Sequence, residues 1–170
     1  MNNTPMVLIV MGSESDLPVM QEAAEVLGTF NVPCEIRISS AHRSPLRTAA
    51  LASEAAGRGI RIIIAGAGMA AHLAGVVASK TTLPVIGVPM PGGALNGVDA
   101  LYSTVQMPGG IPVATMAIGK AGAKNAGIFA VQILALTDER LSVALREYRQ
   151  EMDRDAELRD SQLQIARSSA

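Results

Sequence analysis

Tryptophan is absent from this 170-residue chain, and two tyrosines and two phenylalanines are its only aromatics. Phe30, Phe129, Tyr102 and Tyr148 all lie outside the glycine- and serine-rich stretches where a ligand would bind. That argues against a flavin-binding electron carrier, which stacks aromatic rings on its cofactor. Cys34 is the single cysteine, so no internal disulfide can form, and no Cys/His cluster has zinc spacing. At the start of a strand-like run, it reads as a small core hydrophobe. Charge is scarce and balanced: 14 Lys and Arg face 15 Asp and Glu, for a net charge of −1. Nucleic-acid binders carry a basic excess that is missing here. With 49% hydrophobic residues the chain can bury a substantial core and does not read as disordered.

Long apolar runs are also few. Residues 1–5 are polar, and Met6 to Met11 is too short for a signal-peptide core. Ile62 to Ser79 lacks Asp, Glu, Lys and Arg, and by length alone it approaches a membrane span. Yet it holds Gly66, Gly68, His72 and Gly75 and opens on three isoleucines, so a strand, a glycine turn and a small-residue helix explain it better. The expectation is a cytoplasmic protein with no membrane and no nucleic-acid partner. It should form one domain over residues 1–170, with a core at about 6–136 and a helix and tail at about 138–170.

Strand-like and helix-like segments alternate. Strands are predicted at Val7 to Met11, Cys34 to Ile38, Ile60 to Ala65, Val85 to Val88 and Val113 to Ile118. Helices are predicted at Leu17 to Phe30, Pro45 to Ala56, Ala70 to Lys80, Gly97 to Gln106 and Ala121 to Leu136. Asp16 is placed to cap the first of these, with Pro18 in its first turn. Asp138 is placed to cap a last helix bearing Leu141, Leu145, Tyr148 and Met152 on one stripe. The end of the chain, from about Asp160, is expected to fray. This alternation predicts a three-layer α/β/α architecture around a parallel sheet, with a C-terminal helical extension. Strands one, three and four are apolar on both faces and suit central positions. Strand two alternates and suits an edge. The flavodoxin-like order 2-1-3-4-5 satisfies both.

In such sheets ligands bind beyond the carboxyl ends of the strands. The residues there form an unusual set. Gly12, Ser13, Glu14, Ser15 and Asp16 follow strand one, and "SSAHRSP" (residues 39–45) follows strand two. Gly66, Gly68 and His72 follow strand three, and Gly119-Lys120 follows strand five. Glycines let a ligand approach the backbone, helix N-termini favour anions, and Arg43 and Lys120 add positive charge. A phosphorylated small molecule fits. Singly, each residue has a plainer reading: Asp16, Ser15 and Ser44 as helix caps, His72 as a buried histidine, Arg43 as a surface charge. Their convergence at one end of the sheet outweighs those readings. Two nucleotide motifs fail. Gly66 to Ala71 fits a relaxed dinucleotide fingerprint but follows the third strand and lacks the ribose-binding acid. Gly119-Lys120 ends like a Walker loop, but Ala114 replaces its first glycine and Ala121 its metal-binding hydroxyl residue. A phosphoacceptor receiver module is also disfavoured, because Gly12-Ser13 and Ala65-Gly66 stand where its acids would be.

Together, "VMGSESD", "SSAHRSP", "AGAGMAAHLAG", "LPVIGVP", "GVDALYSTVQMPGGIPV" and "AIGKAGAKNAG" resemble segments of the PurE family in the same order, from about Val7 to Leu136. The resemblance implies an N5-carboxyaminoimidazole ribonucleotide mutase of purine biosynthesis. Such an enzyme has a ribonucleotide substrate, no cofactor and no metal, and works as a homo-octamer. It moves a carboxylate from N5 to C4 by decarboxylation and recarboxylation, with carbon dioxide as a transient intermediate. By residue matching, His42 is the catalytic proton shuttle. An unperturbed imidazole pKa of ~6.5 lets it donate and accept near neutrality. Ser13, Ser15, Asp16, Ser40 and Arg43 would hold the ribose phosphate, and Gly68, His72 and Leu73 would line the side where carbon dioxide waits. The animal-type branch, which carboxylates aminoimidazole ribonucleotide directly, usually has lysine after the histidine, so Arg43 favours the mutase. Ala74, where many relatives have proline, and residues 90–97 depart from the family pattern.

Overall fold

Apolar residues on both faces make three strands central. The computed structural model, which describes residues 4–168, places β1 (Val7–Met11), β3 (Ile62–Ala67) and β4 (Val85–Pro89) inside a five-stranded sheet of order β2-β1-β3-β4-β5. All pairings are parallel; Val7 lies opposite both Cys34 and Ile62, and Ile63 opposite Val85. β2 (Cys34–Ile38) is one edge, with Ile36 and Ile38 exposed, and β5 (Ala114–Thr115) is the other. The order matches the sequence expectation, and so does the span of β1 and β2.

Strand alternation gives the sheet two apolar faces. Leu8, Val10, Ile63 and Ala65 pack in a cluster with Ala52, Leu73, Ala74 and Val77. Those partners come from α2 (Pro45–Ser53) and α3 (Leu73–Ala78). On the other face, Met20 of α1 (Leu17–Thr29) lies against Gly66. α5 (Lys120–Ala135) brings Gly127 against Ala23 and Val26 of α1. α4 (Val98–Val105) packs on β4. The charge-free stretch that resembles a membrane span is β3, a turn and α3. Among the described residues no helix is long and apolar enough to cross a membrane.

Several local expectations need correction. Asp16 makes no cap bond to α1. Its carboxylate instead accepts from the backbone N–H of Ser13 and closes a capping box on the short 3-10 turn Glu14–Asp16. Ser44 does not cap α2; its hydroxyl donates to the Ser40 carbonyl at 3.0 Å. α3 begins three residues later than predicted. Met69 is left-handed (φ 55°), and the N–H groups of Ala71 and His72 turn back to Met69 and Ala70. β5 keeps only two residues, short as edge strands tend to be.

The chain divides into two compact units, one ending at Val131 and the other running from Gln132. The second holds the end of α5 and the 30-residue α6 (Glu139–Ser168), capped by Asp138, whose Oδ1 accepts from the N–H groups of Arg140 and Leu141. The fraying expected from Asp160 does not occur up to Ser168. The segment has no glycine or proline, and i,i+4 bonds such as Gln164 to Asp160 continue along it. Residues 169 and 170 lie outside the described residues.

Candidate active site

Parallel strands deliver their following loops to one end of the sheet, and four of those loops enclose a pocket of about 570 Å³. The first, after β1, is held rigid by its own hydroxyls. The Ser13 hydroxyl accepts from the Ser15 hydroxyl at 3.0 Å, while the Ser13 N–H donates to Asp16 Oδ2 at 3.2 Å. Burial pushes the Asp16 carboxyl above its usual range. The bonds from Ser13 and Ser15 and the nearby Arg43 charge oppose that shift without cancelling it.

The second loop, after β2, is anchored at its base. Ser39 is buried, and its hydroxyl meets that of Thr48 at 2.8 Å. Ser40 turns the chain, with its hydroxyl accepting from the Arg43 N–H at 3.2 Å. The turn sends two side chains to neighbouring loops. The Arg43 guanidinium donates to the Gly12 carbonyl at 3.0 Å, tying loop two to loop one. His42 Nε2 meets His72 Nδ1 at 2.8 Å, tying loop two to loop three, with the rings nearly perpendicular at 89°. The fourth loop follows β4. Gly68 lets it close on the third: a Cβ there would stand 3.3 Å from Met90 Cβ. Gly93 has φ 65°, a conformation that favours glycine.

Every residue to which the family resemblance gives a substrate or proton role lines this pocket: Ser13, Ser15, Asp16, Ser40, His42, Arg43, Gly68, His72 and Leu73. Lys120 does not. Its ammonium bonds Glu22 at 2.8 Å and is raised in pKa first by that bond, so the charge expected from it goes to a surface ion pair. The wall contains one guanidinium, one carboxylate, two imidazoles, hydroxyls and small apolar residues, and no phenylalanine or tyrosine among the described residues. Such a site suits a polar, anionic small molecule whose chemistry runs on proton transfer.

The AIR carboxylase family profile matches residues 6–155. This chain belongs to the AIR carboxylase family. Relatives named N5-carboxyaminoimidazole ribonucleotide mutase include that of Synechocystis sp. strain PCC 6803, 57% identical over 91% of this chain and 90% of its own. Another is that of Pyrococcus horikoshii, 54% identical over 94% of this chain and 89% of its own. The crystal structure of Treponema denticola PurE superposes with a TM-score of 0.84 at 31% identity, covering 94% of this chain and 98% of that one.

Some of the wall of this AIR carboxylase family member escaped sequence reasoning. Ala41, Ala67, Met69, Ala70 and Met90 to Gly93 also line the pocket. A usable signal was present in part: Pro91-Gly92-Gly93 begins one residue beyond a buried strand, where ligand loops are expected in such sheets. Nothing in the sequence marked Met69, which is 66% exposed and takes a conformation that glycine usually supplies.

Proposed function

We infer that this chain converts N5-carboxyaminoimidazole ribonucleotide into 4-carboxy-5-aminoimidazole ribonucleotide, as an isomerase of purine biosynthesis. The observation that carries the reading is His42, held by a second histidine on the wall of a pocket whose one guanidinium is the adjacent Arg43. Its family membership and the names of its relatives point the same way.

In this reading Arg43, Ser13, Ser15, Asp16 and Ser40 bind the ribose phosphate. The planar guanidinium offers paired donors to phosphate oxygens. His42 donates a proton to N5 as the carboxylate leaves as carbon dioxide. Carbon dioxide is small and neutral, so it is best retained by an apolar wall that excludes water; Gly68, Leu73 and the carbon skeleton of His72 supply one. C4 then attacks carbon dioxide, and His42 removes the C4 proton. Net protons balance, which is why one residue serves both halves. The chemistry needs neither ATP nor a metal.

The reading extends to assembly and location: a homo-octamer in the cytoplasm. Exposed Leu95, Val98, Tyr102 and Val105, at and before α4, give a neighbouring copy an apolar face to cover. Light scattering of the full chain and of a truncation after Leu136 tests this; a fully active monomer would count against it.

The deciding assay supplies purified protein with N5-carboxyaminoimidazole ribonucleotide, without ATP and with EDTA present. Conversion is expected. A parallel reaction with aminoimidazole ribonucleotide and bicarbonate is expected to be far slower. If only the second reaction proceeds, the enzyme is a direct carboxylase.

A further inference from the structure

His42 and His72 share one hydrogen bond, Nε2 to Nδ1, and its direction is a chemical choice. Such a contact holds one proton, carried by one ring and accepted by the other. In one arrangement His42 donates from Nε2, and its own Nδ1 is left bare. In the other, His72 donates from Nδ1, and His42 carries its proton on Nδ1. Among the described residues no other protein group bonds to either ring. The pair therefore fixes its own tautomers.

The proton inventory of the mutase reaction, on which this inference rests, selects between the two. His42 starts as a donor to N5, so it starts protonated on both nitrogens. Facing such a ring, His72 can only accept. When His42 Nδ1 gives its proton to N5, Nε2 still holds the other and still donates to His72. His42 is then neutral with Nδ1 bare, ready to take the proton from C4. The cycle closes with no proton crossing between the rings: N5 gains what Nδ1 loses, and Nδ1 regains one from C4.

We propose that His72 is a positioning residue, which holds a proton on Nε2 of His42 and makes Nδ1 its single working nitrogen. The logic is that of a base oriented by a third group, with an imidazole in the place often taken by a carboxylate. The difference has a reason. Both histidines line the same pocket, whose wall already carries the Asp16 carboxylate, and a second anion in the place of His72 would add repulsion toward the substrate's carboxylate beside His42. A neutral acceptor orients His42 without that repulsion.

The chain has only two histidines, so its imidazole nitrogens are readily resolved by NMR of protein labelled with 15N-histidine. In the substrate-free wild type, the neutral forms of both rings are expected to carry their proton on Nε2. Both side chains are exposed, so variants should fold. His72→Phe keeps a ring but offers no acceptor. Its His42 should relax to a mixture of tautomers, and kcat should fall about tenfold or more with KM within about threefold. His72→Asn puts an amide oxygen near the place of Nδ1, and should restore both the tautomer and most of kcat. A wild-type His42 whose neutral form carries its proton on Nδ1 overturns the proposal. So does a phenylalanine variant as active as the asparagine one, or loss of kcat in both with the tautomer unchanged. If wild type shows the pinned tautomer yet does not turn over N5-carboxyaminoimidazole ribonucleotide, the fault lies with the mutase reading and not with the contact.

Discussion

Arg43 offers the sharpest separation of binding from stability. Its side chain is exposed, its charge acts on nearby Asp16, and among the described residues its one side-chain hydrogen bond is the 3.0 Å bond to the Gly12 carbonyl. Replacing it with alanine removes two things of unequal size. The bond to Gly12 is solvent-accessible, and such a bond contributes about 0.5–1 kcal/mol to folding. At about 2–4 °C per kcal/mol for a chain of this size, Tm should fall by no more than about 4 °C. A charge-assisted contact to a bound phosphate is worth ~1.5–3 kcal/mol, or roughly 10- to 150-fold in KM. Arg43→Lys keeps the charge but not the fork that reaches Gly12 and phosphate together, so its KM should fall between the two. Steady-state kinetics on N5-carboxyaminoimidazole ribonucleotide, with thermal denaturation of the same samples, checks both numbers. An unchanged KM in Arg43→Ala would show that the phosphate sits elsewhere. A collapse of Tm with KM intact would make Arg43 a structural strut.

Three further outcomes follow from the geometry. His42→Asn should lower kcat by at least ~10²–10⁴, the range for one general acid–base group, while substrate still binds; a stronger loss in His72→Asn than in His42→Asn would reverse the two roles. Glu35 is buried enough to raise its carboxyl, but bonds from Arg37 and Arg58, the latter at 2.6 Å, outweigh that and hold it below the usual range. Its contribution is therefore present above the ordinary glutamate range and lost as pH falls through the lowered value. Glu35→Gln should cost about 1 kcal/mol at neutral pH, and the gap to wild type should close on acidification; a gap independent of pH would contradict the pairing. Gly87→Ala would put a methyl 2.4 Å from Thr104 Cγ2 and 2.9 Å from Val113 Cγ1 in the buried β4, an overpacking of ~1–3 kcal/mol; an unchanged Tm would show that those neighbours give way freely.

The strand order was legible in the chain because it follows from which strands are apolar on both faces. Ile62-Ile63-Ile64 must be covered twice, whereas Cys34 to Ile38, with Glu35 and Arg37 between apolar residues, can sit at an edge. Most of the site was legible for a related reason. Parallel topology sends every post-strand loop to one end, so "GSESD", "SSAHRSP" and "GAGMAAH" had to converge. What the sequence left open was where long side chains would be held once those loops met. Nothing local distinguishes Arg43, which turns to Gly12, from Lys120, which is captured by Glu22 ninety-eight residues away. Asp16 looks like a helix cap until the Ser13 N–H is seen to claim its carboxylate. His42 and His72 stand thirty residues apart and differ little in their small neighbours, yet the fold sets two ring nitrogens 2.8 Å from each other. Periodicity is a property of neighbours along the chain and fixes the elements. A hydrogen bond between loops depends on the twist and spacing of the strands beneath them, and only the folded sheet decides it.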